Sequence, residues 1–243
     1  VYGLDINPFA VELARLAIWI HTFVPGLPMS SLDHGLVLGN SLTGIGSIDE
    51  ALDALEPKRA PGQATFFDDI ILDQLAAART HLTDFAAASE ADRAEVLAGK
   101  QLLQDAKDAS NRALQIFDAA VAVRVGAVPS QAIITENALE ALLAHPKVHE
   151  TAQQVAPAHM PYLFPEVFLR ENGGFDALVG NPPWEKVKME EHQWWGLRVP
   201  GLRSMAQSQK NATLSQFKEA RPDLVEEYAS EVERTDAFRK VLV

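Results

Sequence analysis

A chain of 243 residues with 47% hydrophobic and 22% charged side chains is long enough to bury a substantial core, either as one large α/β domain or as one domain carrying an insertion. No apolar run approaches the roughly 18 to 20 residues of a membrane span, so no membrane partner is expected, and the lack of cysteine excludes disulfides and thiolate metal ligands. The net charge of −12 argues against nucleic acid as a partner until its distribution is read: residues 49–170 hold 18 acids and 10 bases (net −8), whereas 186–218 hold six bases and two acids (net +4).

The chain opens on Val1-Tyr2-Gly3, with neither an initiator Met nor a basic leader. A slice of a longer, cytoplasmic polypeptide is therefore expected. Residues 1–4 read as the end of a buried strand with Asp5 at its carboxyl edge. Asn7 then caps a helix whose first residue is Pro8 and whose apolar face includes Val11, Ala14 and Ile18, reaching about Phe23. Strand, acid and helix is the order in which nucleotide-binding α/β proteins set a carboxylate against ribose hydroxyls, although taken alone Asp5 reads more readily as a solvated strand end or a second cap.

A Pro-Gly-Leu-Pro loop (25–28) leads to a second apolar run, His34-Gly35-Leu36-Val37-Leu38, ended by Gly39-Asn40-Ser41. Asn40 reads as a turn residue or as a ligand contact. The Gly44-x-Gly46 pair resembles a phosphate loop, but it lacks a third glycine and has acids at the following helix start. Ser47 to Glu50 instead form a capping box.

Residues 66–145 turn to Ala, Leu, Glu, Asp, Lys and Gln with strong helical character. Val96, Leu103 and Phe117 share one heptad position and Ala106, Ala113 and Ala120 another, which predicts a long helix packed on a neighbour such as 66–88, with Ser110 interrupting the first row. This segment is expected to be an antiparallel helical insertion projecting from the sheet. His145 and His149 have the spacing of a helical metal pair, but Pro146 lies between them and no Glu supports them, so no metal site is expected. Two prolines and three aromatics close the insertion at 160–168. The stretch 190–204 reads as an irregular loop, and from Leu214 onward the pattern is helical with a break at Pro222.

Residues 175–184, Phe-Asp-Ala-Leu-Val-Gly-Asn-Pro-Pro-Trp, carry the most chemical information. The apolar run 177–179 is too short for a helix and predicts a buried strand that Gly180 ends, and Asn-Pro-Pro forces an extended backbone after it. Asn181 offers an amide oxygen, Pro182 a carbonyl, and Trp184 an aromatic plane. Two acceptors and a stacking surface suit a planar ring with an exocyclic amino group, such as adenine, and the tetrapeptide alone fits equally a plain turn with Trp184 in the core. The runs 1–4, 36–38 and 177–179 are expected to be parallel neighbours with Asp5, Asn40 and Asn181 at one edge.

The segments 1–16, Gly-Asn-Ser-Leu at 39–42, and 175–184 occur in the order found in N6-adenine DNA methyltransferases, and the chain resembles the Eco57I-type restriction-modification methylases and related phage-resistance methylases. Phe164-Pro165-Glu166-Val167-Phe168 looks like that group as well. The resemblance implies a partial Rossmann-like methyltransferase sheet of class α/β with a long helical insertion: 1–48 and 161–243 as parts of the core, 49–160 as the insertion. It implies S-adenosylmethionine as cofactor, held by Asp5 and Asn40 with Ile6 and Ser41 beside them, and a flipped adenine of double-stranded DNA held by Asn181, Pro182, Pro183 and Trp184. The glycine-rich first motif of the family is absent, so the remaining domains of the same polypeptide are expected as partners. Two other readings stay open: a methyltransferase acting on the glutamine amide of proteins, which presents the same amino donors, and an inactive methylase fragment serving as a helical interaction module.

Overall fold

The computed structural model describes residues 1–22, 31–60, 66–88, 92–129, 135–180, 191–205 and 207–242. The chain divides into two compact units, Val1–Val179 and Gly180–Val243. Its class is α/β in a mostly helical form, with one small parallel sheet among the described residues.

In the first unit, β1 (Gly3–Asp5) pairs in parallel with β2 (Leu36–Leu38), Gly3 opposite Leu36 and Asp5 opposite Leu38. Between them run α1 (Pro8–His21) and the short α2 (Ser31–Gly35). The α1 start is as expected: Asn7 Oδ1 accepts the Phe9 N–H at 2.9 Å, which satisfies one of the orphan donors of the first turn. His34 and Gly35 belong to α2 rather than to the second strand.

The apolar residues of α1 lie on two faces. Val11 is buried against the unit, with Ala14 and Ile18 partly covered beside it, while Phe9, Leu13, Leu16 and Ile20 are exposed at a four-three-four spacing.

The core lies among the helices that follow. α3 (Ile48–Leu55) starts at the expected capping box, with Ser47 Oγ accepting from Glu50 N at 3.2 Å, although Glu50 reaches back to Gly46 N (2.6 Å) rather than to Ser47 N. α4 (Phe66–Ala87) buries Phe67, Ile71, Leu75, Ala78, Leu82 and Phe85, a three-four spacing that lays one stripe against α5 (Arg93–Ala109). The expected long helix is in fact two. α5 ends at Ala109, and α6 (Asn111–Arg124) begins after Ser110, whose hydroxyl donates back to Ala106 O at 2.8 Å and competes with the helical ladder there.

On α6, Ile116, Phe117, Ala119, Ala120, Val121 and Ala122 are fully buried. A helix apolar on nearly every side belongs at a centre, and α6 packs against α3, α4 and α8 (Pro146–Val155), with α7 (Glu136–Leu143) beside it. His145 caps α8, its Nδ1 accepting from Lys147 N at 3.1 Å. The single turns α9 (Met160–Leu163) and α10 (Pro165–Phe168) complete the unit.

The expected third strand is not present. Residues 177–179 form no ladder, and Leu178 and Val179 are 83% and 101% exposed. Three residues become a strand only where a neighbouring backbone accepts their hydrogen bonds, and no described strand runs beside them.

The second unit is helical throughout its described residues: α11 (Glu191–Arg198), the 3-10 turn at Leu202–Ser204, α12 (Gln207–Ala220) and α13 (Pro222–Leu242). The break before Pro222 is as expected. The irregular loop expected at 190–204 is instead largely helical. Trp194, Trp195, Val199 and Leu202 share one face and enclose a small core with Leu214, Phe217 and Tyr228, so burial overrides the loop-like composition. Arg198 stacks over the Trp194 ring at 3.6 Å and pairs with Glu227 at 2.7 Å, covering that core with its stem.

Candidate functional site

At the carboxyl edge of the two strands the ladder continues one step, Gly39 N donating to Asp5 O at 3.0 Å. Asp5 and Asn40 are thereby brought to the same edge, as the sequence predicts. Asp5 is exposed, and its Oδ1 accepts the Asn7 N–H at 2.7 Å, which fixes the carboxylate at the turn out of β1 while leaving acceptor capacity toward solvent. Ile6 beside it is 58% exposed. Asn40 Oδ1 accepts from Leu42 N at 3.1 Å, closing a side-chain turn, so the turn reading of Asn40 is realised and its amide N–H donors are what remains for any ligand. Ser41 is exposed next to it.

The loop 39–46 that carries these residues is clamped from below. Asn40 bridges to Pro157, with Asn40 N donating to Ala156 O (3.2 Å) and Ala158 N donating to Asn40 O (3.1 Å). The buried Thr43 hydroxyl reaches Val155 O at 3.0 Å. Arg124, at the end of α6, donates to Thr43 O (2.9 Å) and Gly44 O (3.3 Å) and pairs with Glu50. His159 is 1% exposed: Ile45 N–H donates to its Nδ1 at 3.2 Å, so Nε2 carries the proton and donates to Asp118 Oδ1 at 3.0 Å.

Gly44 packs so closely that a Cβ there would fall inside the Ala158 carbonyl. Its glycine thus serves backbone packing, and the Gly-x-Gly pair leads into a helix start rather than a phosphate cradle. Thr43, Arg124, Asp118 and His159 carried no motif in the sequence. For Arg124, Asp118 and His159 the one signal was isolation, single polar residues set in apolar runs.

A second cluster forms at the opposite, amino end of the strands. Tyr2 packs at a tilt against Phe164 (4.8 Å between centroids) and Phe175 (5.6 Å), and His34 Nε2 donates to Glu166 Oε1 at 2.7 Å. Burial raises the Glu166 carboxyl, but the hydrogen bond and charge of His34 outweigh it and hold the group below its ordinary value. The Tyr2 hydroxyl is pushed up to about 12, first by burial and then by the neighbouring Glu166 charge. It lies against that carboxylate loosely, and Glu166 Oε2 is buried with no hydrogen bond of good geometry. Asn181, Pro182, Pro183 and Trp184 lie outside the described residues.

A family model for the Eco57I restriction-modification methylase matches residues 1–226. The chain belongs to that family. No curated protein and no solved structure matches it. Family membership points to DNA methyltransferase activity for this Eco57I-type chain, with DNA as the macromolecule acted on. No described helix is long and apolar enough to cross a membrane, and no group of three or more His, Cys, Asp or Glu able to hold a metal ion occurs among the described residues.

Proposed function

We propose that this methylase chain contributes to transfer of a methyl group from S-adenosylmethionine to the N6 amino group of an adenine flipped out of DNA. The observation that carries the reading is the pairing of Asp5 and Asn40 at one strand edge in a chain that also holds Asn181-Pro182-Pro183-Trp184. The exposed edge chemistry fits the cofactor: a carboxylate with free acceptors suits ribose hydroxyls, and amide N–H donors suit the acceptor edge of a purine. When bound, S-adenosylmethionine supplies a methyl group activated on sulfonium.

The residues at 181–184 do the rest of the work. An amino group inside the base stack cannot be approached in line, so the base must leave it. The N6 lone pair is delocalised into the ring. In this reading Asn181 Oδ1 and the Pro182 carbonyl accept hydrogen bonds from its two N–H groups and free that pair for attack, while Trp184 fixes the ring plane and the fixed φ of Pro183 limits the freedom of the segment. The +4 balance of 186–218 supports a polyanionic substrate. In this reading 49–160 is an insertion between core parts 1–48 and 161–243, and the exposed stripe Phe9, Leu13, Leu16 and Ile20 packs against further domains of the same polypeptide.

Single-turnover methylation of an adenine-containing duplex by the whole methylase tests the assignment. Asn181→Ala is expected to slow it by roughly a hundredfold or more with cofactor affinity little changed, the scale of losing one preorganised hydrogen bond. Trp184→Ala is expected instead to weaken DNA binding by about 1 to 3 kcal/mol, with Trp184→Phe recovering much of it. Undiminished methylation by Asn181→Ala overturns the reading, and methyl label found on protein glutamine instead of DNA replaces it with the amide alternative.

A further inference from the structure

We infer that Arg124 is a positioning residue for S-adenosylmethionine, acting through the backbone of loop 39–46 rather than on the cofactor itself. Resting on the proposed reading of the Asp5 and Asn40 edge, this makes the helical segment 49–160 part of how that edge is built.

Arg124 ends α6, whose residues Ile116, Phe117 and Ala119 to Ala122 are fully buried, so its side chain starts from a rigid base. A cation in the last turn also suits the negative end of the helix dipole. Its guanidinium serves three acceptors. Nη2 donates to Thr43 O at 2.9 Å and to Gly44 O at 3.3 Å, and Nη1 pairs with Glu50 Oε1. Glu50 Oε2 in turn accepts the Gly46 N–H at 2.6 Å. One side chain thus holds residues 43 and 44 directly and residue 46 at one remove. Thr43 and Gly44 are buried, and a buried carbonyl needs a donor. The planar fork of arginine meets several acceptors in fixed directions, which the single ammonium of lysine does not.

The grip passes along the loop to Asn40. Thr43 N–H donates to Asn40 O at 3.4 Å, and the Thr43 hydroxyl stands 3.2 Å from the same oxygen. Asn40 Oδ1 takes the Leu42 N–H, which fixes the side chain whose amide donors remain for a ligand. A shift of residues 43 and 44 therefore moves the Asn40 turn. Asn40 has a second hold in its backbone bonds to Ala156 and Ala158, so losing Arg124 should loosen the turn rather than abolish it. Arg112, at the other end of α6, pairs instead with Glu140 at 2.6 Å and Glu136 at 3.5 Å on α7, which makes it a control on the same helix.

The test uses the whole methylase, comparing wild type, Arg124→Ala, Arg124→Lys and Arg112→Ala by S-adenosylmethionine titration, by methylation of an adenine-containing duplex and by amide hydrogen exchange. Arg124→Ala is expected to raise the cofactor Kd and KM roughly tenfold, the scale of one lost hydrogen bond to a charged group, with kcat at saturating cofactor within about twofold. Exchange at Thr43 and Gly46 should quicken about tenfold while Gly39, bonded to Asp5 O beside the strands, keeps its wild-type rate, a split that general loosening of the fold does not give. Arg124→Lys should fall between, and Arg112→Ala should match wild type in cofactor affinity. Where Arg124→Ala fails to fold, Arg124→Lys carries the same comparison with an expected weakening of about threefold. Wild-type cofactor affinity in the folded Arg124 variant, or an equal loss in Arg112→Ala, overturns the positioning role and leaves the methylase reading standing. A wild-type protein that neither binds S-adenosylmethionine nor methylates DNA overturns the methylase reading itself, while the exchange split still reports whether Arg124 holds the loop.

Discussion

The two segments that flank the candidate site are held in opposite ways. Loop 39–46 is fixed by Arg124, Thr43 and His159, by backbone bonds to 156–160, and by a glycine with no room for a side chain. The run 175–179 is fixed at Phe175 and exposed thereafter. One segment is over-determined by contacts with residues 80 or more positions away. The other is held at its start by the Phe175 ring contacts and by Arg170, which stands 3.6 Å from Asp176, and is exposed at Leu178 and Val179. Precision at the Asp5 and Asn40 edge is therefore built into this chain, whereas order at 177–179 depends on what packs against it.

Changes in the clamped loop should be the most costly. Gly44→Ala pushes a methyl into backbone atoms of Ala158 that cannot swing aside, and a loss of about 3 kcal/mol is expected by denaturant unfolding. His159→Ala removes a fully buried ring and leaves the Ile45 N–H without its acceptor, for an expected loss of roughly 2 to 3 kcal/mol in the same measurement. Phe175→Ala, at the anchored end of the other segment, should cost about 1 kcal/mol, because that ring is only half-buried. Leu178→Ser, three residues on, should leave stability within about 0.5 kcal/mol of wild type. A large loss at Leu178 together with a small one at Gly44 would invert the comparison.

Titration sharpens the same contrast at the anchor. Glu166 is held below its ordinary value of 4.5, so its contribution is complete above that value and is lost as the pH falls below it. Tyr2 is raised from 10.0 to about 12, so its contribution is complete below pH 10 and is lost as the pH rises toward 12. Unfolding measured across pH should show both losses in the wild type. In Glu166→Gln the acid-side loss should shrink.

Local chemistry was legible in the sequence wherever neighbours along the chain decide the outcome. The Asn7 cap with Pro8, the Ser47 capping box, the break at Pro222 and the turn at Asn40 are all satisfied within four residues, and each stands as read. Parallel pairing of the first two runs was legible too, because each ends in small polar residues after an apolar stretch. The third run failed as a strand for want of a partner backbone, and 190–204 failed as a loop because Trp194 and Trp195 found a core to fill.

By itself the sequence determined the caps, the turns, the helical character of 66–145 and the family to which the motifs belong. Only the tertiary structure decided that Ser110 divides one helix into two, that α6 is the centre of its unit, and that Arg124, Asp118 and His159 hold the loop of Asn40. The reason is range. A cap or turn is settled by hydrogen bonds between near neighbours, whereas a buried polar group is settled by whichever distant partner the fold delivers, and no spacing in the sequence records that partner.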